Sequence, residues 1–311
     1  MIALTETNLP DLTLLSRGKV RDVYSTSSPE HLLFVATDRI SAYDVILRNG
    51  IPGKGKLLTQ ISLFWFSKLG HIIPNHFVTA DIDEMPEEVR KYKDQLDGRA
   101  MLVKKAKVVP LEAIVRGYLT GSAWSEYKRS GTVHGIPLPP GLIESQQLPE
   151  PLFTPSTKAE QGAHDENISP EKASKLIGES IYAQISQAAL KLYSEAAAFS
   201  HSKGVILADT KFEFGLVPST TSLTNEETLI LVDELLTPDS SRYWPLKGYE
   251  VGKSQPSFDK QYLRDWLVGV GFRKGLERGK EGEEGHGWTI DSSVVEGTRD
   301  RYAEAVKLLT S

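Results

Sequence analysis

The sequence predicts an α+β chain, strand-heavy in its first third and mixed thereafter. Three observations carry this. Residues 14–47 fall into short runs rich in β-branched and aromatic residues, LLSRGKVRDVYS, HLLFVATD and AYDVIL, with Ser, Pro and Asn between them. Ile181, Ile185, Ala189, Leu192, Ala196 and Phe199 recur at helical spacing. GVILADTKFEFG (204–215) and TLILVDELL (228–236) read as two strands joined by a polar Ser/Thr/Asn loop.

The other elements follow in order. LLTQISLFWFSKLG (57–70) has apolar residues at helical spacing and a terminal glycine, so it reads as a helix. RAMLVKKAKVVPLEAIVRG (99–117) reads as two strands broken at Pro110, which closes a β-rich part at residue 117 and leaves 118–311 as the larger part. Residues 122–129 form a short helix with Lys128 and Arg129 near its end and Gly131 as its stop. Residues 135–165 hold six of the 17 prolines and little periodicity, so an extended irregular segment is expected there. Ser169, Pro170 and Glu171 then supply a cap, a proline at the first helical position and an early acid. That core helix runs to Lys203 and Gly204. Residues 272–288 are rich in glycine and charge and read as a surface loop. A last helix near 293–309 carries the stripe Val294, Thr298, Tyr302, Ala305 and Leu309.

Composition narrows the function classes. The 311 residues are 40% hydrophobic and 25% charged, enough apolar material for a sizeable core. A net charge of −5, with acids and bases mixed, argues against nucleic acid as an obligate partner. The absence of cysteine excludes disulfides, thiolate catalysis and cysteine–zinc sites. No apolar run approaches the roughly 20 residues that span a bilayer, and the N-terminus lacks the basic and apolar regions of a signal peptide. A cytoplasmic protein with no membrane association and no evident obligate protein partner is expected.

The most informative stretch is LADTKFEFG. Strand alternation places Asp209, Lys211 and Glu213 on one face, and Thr210, Phe212 and Phe214 on the other. The next strand is apolar until Asp233 and Glu234. In a hairpin, Glu213 and Asp233 converge beside Lys211, a set suited to a Mg²⁺ that bridges nucleotide phosphates. The residues alone leave open a solvated, ion-paired strand face. Lys19 and Arg21 are expected on one strand face, two cations beside Gly18 at a strand start, which fits a phosphate but also an ordinary surface. Gly117 and Gly121 flank a turn into a helix, with Ser122 in the cap position and Arg116 close by, the makings of an anion site. Residues 153–167 concentrate Ser156, Thr157, Lys158, Glu160, His164, Asp165 and Glu166, a lining for a polar substrate or simply a solvated loop. The run TPDSSRYW (237–244) places Asp239, Ser240, Ser241 and Arg242 directly after the second acid strand. Lys260 and Arg264 share a helix face.

Taken together, GKVRDVY, FVATDRISAYDVI, PLEAIVRGYLTGSAWSEY, GTVHG, FTPSTKAEQGAHDENIS, ADTKFEFG, LVDELLTPDSSRYW and DKQYLRDWL run in order from about residue 17 to 267. They resemble the SAICAR synthase family, the phosphoribosylaminoimidazole-succinocarboxamide synthases, in its fungal form. The resemblance implies two lobes, a smaller β-rich, kinase-like nucleotide-binding lobe and a larger α/β lobe. It implies a carbon–nitrogen ligase of de novo purine biosynthesis whose substrates are ATP, L-aspartate and the carboxylate of carboxyaminoimidazole ribonucleotide (CAIR). By the same resemblance, Gly18, Lys19, Arg21, Glu112 and Lys211 contact ATP, and Glu213 and Asp233 hold Mg²⁺. Arg116, Ser122, Arg242 and Arg264, with Lys260, bind the CAIR phosphate and carboxylate. Asp38, Arg39, Ser41, Lys158, His164 and Asp165 line the CAIR or aspartate site. Lys211, Arg242 and Asp239 are the catalytic candidates. A hydroxyl-directed phosphotransferase is the competing enzyme reading, and no HRD-type catalytic loop supplies its base. A non-catalytic nucleotide-binding module is the other, and it would lack the full set of metal acids and substrate arginines.

Overall fold

The computed structural model describes residues 2–43, 45–158, 166–219, 227–258, 260–272 and 288–311. In chain order it contains β1 (Leu14–Arg17), β2 (Arg21–Ser25), β3 (His31–Ala36), β4 (Ser41–Ala42), β5 (Val45–Ile46) and α1 (Lys54–Leu69). Next come β6 (Phe77–Thr79), a 3-10 turn (Ile82–Glu84), the short helices α2 (Glu87–Arg90) and α3 (Lys93–Leu96), and β7 (Ala100–Lys104). β8 (Lys107–Tyr118) leads to α4 (Gly121–Ser130), β9 (Thr132–Val133), β10 (Ile136–Pro137), β11 (Gln147–Phe153) and β12 (Ser156–Thr157). The chain continues with α5 (Pro170–Ile177), α6 (Glu179–Ser202), β13 (Val205–Pro218), β14 (Glu227–Val232), β15 (Ser241–Pro245), α7 (Gln261–Gly269) and α8 (Ser292–Thr310). Helices and sheets are both present, as the sequence predicts.

The chain divides into two compact units. The first comprises Met1–Leu63, Phe77–Lys105 and Ser257–Ser311; the second comprises Phe64–His76 and Ala106–Pro256. This division differs from a boundary at residue 117. β8 belongs with the second unit because it pairs with β13, and α7 and α8 belong with the first because they share a core with Ile40, Leu47 and Ile51.

The first unit is built on an antiparallel sheet in the order β1-β2-β3-β7-β6. Leu33 and Val35 alternate along β3 onto one fully buried face, where they meet Ile82, Met85, Val89 and Leu96 from the short helical turns. α1 starts in this unit, three residues earlier than its sequence pattern indicates.

The second unit has a sheet in the order β11-β8-β13-β14, with β12 also on β8 and β15 on β13. α6 buries Ile185, Ala189, Leu192 and Ala196, four members of the predicted stripe. The predicted helix is in fact two. Ser169 caps α5 by accepting from the Lys172 amide at 3.4 Å, but Gly178, at φ 87°, ψ 143°, ends α5 and begins α6. Only glycine enters that region without strain.

Pro110 does not break a strand. It lies inside β8, where the β8–β13 register shifts between Glu213↔Glu112 and Gly215↔Val108. A proline is tolerated at such an irregularity because the ladder there asks for no N–H. The break expected at Pro110 falls instead at residues 105–106. The proline-rich segment is likewise more ordered over residues 135–158 than its composition indicates, and 159–165 lie outside the described residues. β11 accommodates Pro149 and Pro151 because it is the edge strand of its sheet, and its register on β8 shifts between Gln147 and Leu152.

Candidate functional site

β13 is central in its sheet and brings two charged clusters together. In the first, Glu213 sits opposite Glu112 of β8 and Val232 of β14. Lys211 Nζ donates to Glu112 Oε1 at 2.8 Å and to Glu213 Oε1 at 2.6 Å. Lys158 donates to the other oxygen, Glu213 Oε2. Phe212 and Phe214, the intervening residues, are fully buried on the opposite face. Glu213 is itself only 6% exposed. Burial alone would raise its pKa, but the charges of Lys211 and Lys158 outweigh this and hold the carboxyl down at about 2. Lys211 is correspondingly held cationic: burial works against its charge, and Glu213 and Glu112 more than offset it.

In the second cluster, Asp209 pairs across the ladders with Arg116 on β8 and Arg242 on β15. Asp209 Oδ2 accepts from Arg116 Nη1 at 3.1 Å and also from Arg242 Nη1. Arg116 is 4% exposed and donates through Nε to Thr154 Oγ1 at 3.0 Å. Burial lowers its pKa, Asp209 opposes that, and the neighbouring Arg242 adds to the lowering. Two guanidinium groups thus converge on one buried carboxylate, a donor arrangement suited to anionic groups.

Gly121 sits beneath Arg242. At φ 57° it occupies the left-handed region, and a Cβ there would lie 2.7 Å from Arg242 Nη2. The α4 cap is Thr120, not Ser122. Thr120 makes no side-chain cap bond, and Ser122 is an exposed residue of the first turn. Gly117 serves packing rather than a turn: it lies within β8, where any side chain would run into the Tyr193 ring, whose hydroxyl donates to the Leu207 carbonyl at 2.6 Å.

Asp233 follows β14 directly, with φ 66°, and its carbonyl lies 3.1 Å from His76 Nε2. The segment after it is tied down by Thr237, which is fully buried. Its hydroxyl donates to Glu234 Oε2 at 2.7 Å and accepts from the Asp239 amide at 3.2 Å. The Ser240 carbonyl takes the Lys211 amide at 3.0 Å, so the turn bearing Asp239 is fastened to the strand bearing Lys211. Thr154, Thr237 and Asp209 had no assigned role in the sequence reading. Only Asp209 carried a signal, as the third charge on the LADTKFEFG face.

The first unit holds the remaining candidates. Lys19 is exposed in the turn between β1 and β2, and Arg21 begins β2, buried over the Phe34 ring at 5.5 Å. They therefore do not share a strand face. Asp38 is fully buried and accepts from Leu4 N (2.8 Å), Gly53 N (3.2 Å), Gly55 N (2.9 Å) and Arg99 Nη1 (3.0 Å). Four donors occupy a carboxylate's acceptor sites, so Asp38 knits the fold together instead of lining a substrate pocket. Arg39 is 6% exposed and directs its guanidinium to protein acceptors. Ser41 is buried in β4. Lys260 immediately precedes α7, and its carbonyl accepts from the Arg264 amide at 2.9 Å. His164 and Asp165 lie outside the described residues.

On one sheet, then, a lysine stands between two carboxylates and two arginines share a third, a set of fixed charges of the kind that suits anionic ligands. The SAICAR synthetase family model matches residues 14–278. A phosphoribosylaminoimidazole-succinocarboxamide synthase of Pichia angusta is 55% identical over 99% of this chain and 98% of its own length. One of Maridesulfovibrio salexigens is 52% identical over 99% and 97%. A solved SAICAR synthase from Saccharomyces cerevisiae, complexed with SAICAR, superposes with a TM-score of 0.85 at 48% identity, covering 99% of this chain and 98% of that one. The chain belongs to the SAICAR synthetase family. It is a carbon–nitrogen ligase of purine biosynthesis that joins CAIR and aspartate at the expense of ATP. No helix among the described residues is long and apolar enough to cross a membrane.

Proposed function

We propose that this ligation runs through an acyl phosphate, with the two β13 clusters dividing the work. A carboxylate does not acylate an amine in water, so it must first gain a leaving group. An oxygen of the CAIR carboxylate attacks the γ-phosphorus of ATP, and ADP departs. The aspartate amine, having lost a proton, then adds to the acyl carbon, and inorganic phosphate leaves with the attacking oxygen. The observation that carries this is the placing of Asp209, Lys211 and Glu213 along β13, with Arg116 of β8 and Arg242 of β15 paired to Asp209.

Arg116 and Arg242 bind the anionic groups of CAIR, with Ser122 at the start of α4, and Lys260 and Arg264 supply further positive charge to the same substrate. Lys211 neutralises phosphate charge as it transfers. Gly18, Lys19 and Arg21 cover the ATP phosphates, and Glu112 contacts the nucleoside. Lys158, His164, Asp165 and Ser41 face CAIR or aspartate. Asp239, on the turn fastened to the Lys211 strand, is a further catalytic candidate.

A Mg²⁺ suits the donor set. Glu213 is held anionic, Asp233 follows at the end of the adjacent strand, and Lys158, paired with Glu213, has a side chain 36% exposed. Bound by these two carboxylates, the ion would withdraw charge from the β- and γ-phosphates.

ADP release by the purified protein, with ATP, Mg²⁺, CAIR and aspartate each omitted in turn, tests this reading. Turnover is expected only with all four. Equal ADP release without aspartate would indicate phosphotransfer and defeat the ligase reading.

A further inference from the structure

The turn at residues 18–20 presents Lys19 to solvent and is pinned at the carbonyl on either side of it. Arg39 Nη2 donates to the Gly18 carbonyl at 3.0 Å. Thr37 holds the Val20 carbonyl twice, through Oγ1 at 2.8 Å and its amide at 2.9 Å. The Gly18 amide closes the turn on the Arg21 carbonyl at 2.7 Å.

Both bracing residues are buried, Thr37 completely and Arg39 to 6% exposure. Arg39 is fixed in turn. Nη1 donates to the Thr5 carbonyl at 2.7 Å and Nη2 to Asp22 Oδ1 at 2.6 Å, and Asp22 is fully buried and also accepts from Thr7 Oγ1. Lys54, fully buried at the start of α1, donates to the Arg39 carbonyl at 3.1 Å. A glycine-containing turn would otherwise sample many backbone states, and a ligand closing on it would have to select one.

We propose that Thr37 and Arg39 are positioning residues for the nucleotide, holding the backbone of residues 18–20 so that Lys19 meets the phosphates of ATP. This rests on the assignment of Lys19 to ATP. It gives Arg39 a different role from a ligand of CAIR or aspartate, and it gives Thr37 a role of its own. A pre-set turn strengthens ATP binding before and during reaction alike, so its loss acts on KM more than on kcat.

Two variants test it. Thr37→Val keeps the side-chain shape and the amide bond to Val20 while removing the hydroxyl bond. Arg39→Lys keeps the charge beside Asp22 but loses the planar fork that reaches Gly18 and Thr5 together. KM for each of the three substrates, kcat and the melting temperature are measured for both, with Lys19→Ala in parallel.

Thr37→Val is expected to raise KM for ATP roughly twofold to tenfold, as the loss of one neutral hydrogen bond implies. Arg39→Lys is expected to raise it at least as much. KM for CAIR and aspartate stays at the wild-type value in both, and kcat falls less than KM for ATP rises. Wild-type KM for ATP in Thr37→Val and Arg39→Lys, with a raised value in Lys19→Ala, overturns the inference alone. A rise in KM for CAIR or aspartate in Arg39→Lys, unmatched for ATP, returns Arg39 to the substrate side and also overturns it. If Lys19→Ala itself binds ATP normally, the assignment beneath the inference fails with it.

Discussion

Replacing Asp209 by Asn keeps its shape and removes the charge that Arg116 and Arg242 share. Asp209 is 6% exposed and Arg116 4%, so little water is at hand to take over. Burial already weighs against the Arg116 charge, and so does the like charge of Arg242, which Asp209 no longer opposes in the variant. Breaking a buried ion pair by removing one partner costs about 3–5 kcal/mol. The Arg242 side chain is 27% exposed and relieves part of this by turning outward, which leaves about 3 kcal/mol. For a chain of 311 residues that corresponds to a fall in Tm of roughly 4–5 °C. Calorimetry of Asp209→Asn, Arg242→Met and the double variant at neutral pH and low salt measures it. The double variant should lose less than the sum of the single losses, because removing Arg242 also removes the like-charge contact. A Tm for Asp209→Asn within about 2 °C of wild type would refute this reasoning, as would strict additivity in the double variant.

Three further outcomes follow from the same geometry. Lys211→Met should lower kcat/KM by at least about a hundredfold, as expected for losing a fixed cation at a site of developing charge, with far-UV circular dichroism unchanged. Gly121→Ala forces a side chain into the left-handed region at a cost of about 1–2 kcal/mol and pushes against Arg242, so KM for CAIR should rise while KM for ATP does not. His134 sits at φ 52° with Nδ1 donating to the Pro155 carbonyl at 2.8 Å, and burial, assisted by Arg116, holds its pKa below the usual 6.5. The fold favours the neutral ring, so its contribution is complete above pH 6.5 and is lost as pH falls through the lower folded-state value. His134→Asn, which keeps a donor and tolerates positive φ, should flatten the Tm–pH slope below pH 6.5; parallel slopes for the two proteins would count against this.

The parts of the site that depend on one strand's alternation were legible in the sequence, because that alternation is local. Lys211 and Glu213 share a face, and Phe212 and Phe214 fill the other. What Glu213 faces was not legible. It sits opposite Glu112 through the β13–β8 register that runs from Asp209↔Arg116 to Glu213↔Glu112, and nothing in either strand alone specifies that offset. Asp38 and Arg39 show the same limit. Their types suit a polar pocket, but their partners come from residues 4, 5, 18, 22, 53, 55 and 99, and only the folded chain reveals those bonds. Backbone exceptions were misread for a related reason. Pro110 resembles a strand breaker until the shifted register excuses its missing N–H, and Gly178 resembles a tolerated helix glycine until its φ of 87° ends one helix and opens another.

The acyl phosphate is the step on which the division of labour between the two clusters rests, and oxygen transfer tests it most directly. CAIR labelled with ¹⁸O in its carboxylate is turned over with ATP, Mg²⁺ and aspartate, and the inorganic phosphate is analysed by mass spectrometry. The account predicts that each phosphate released carries one oxygen from the CAIR carboxylate. Phosphate with only unlabelled oxygen, formed alongside SAICAR at the normal rate, would contradict it.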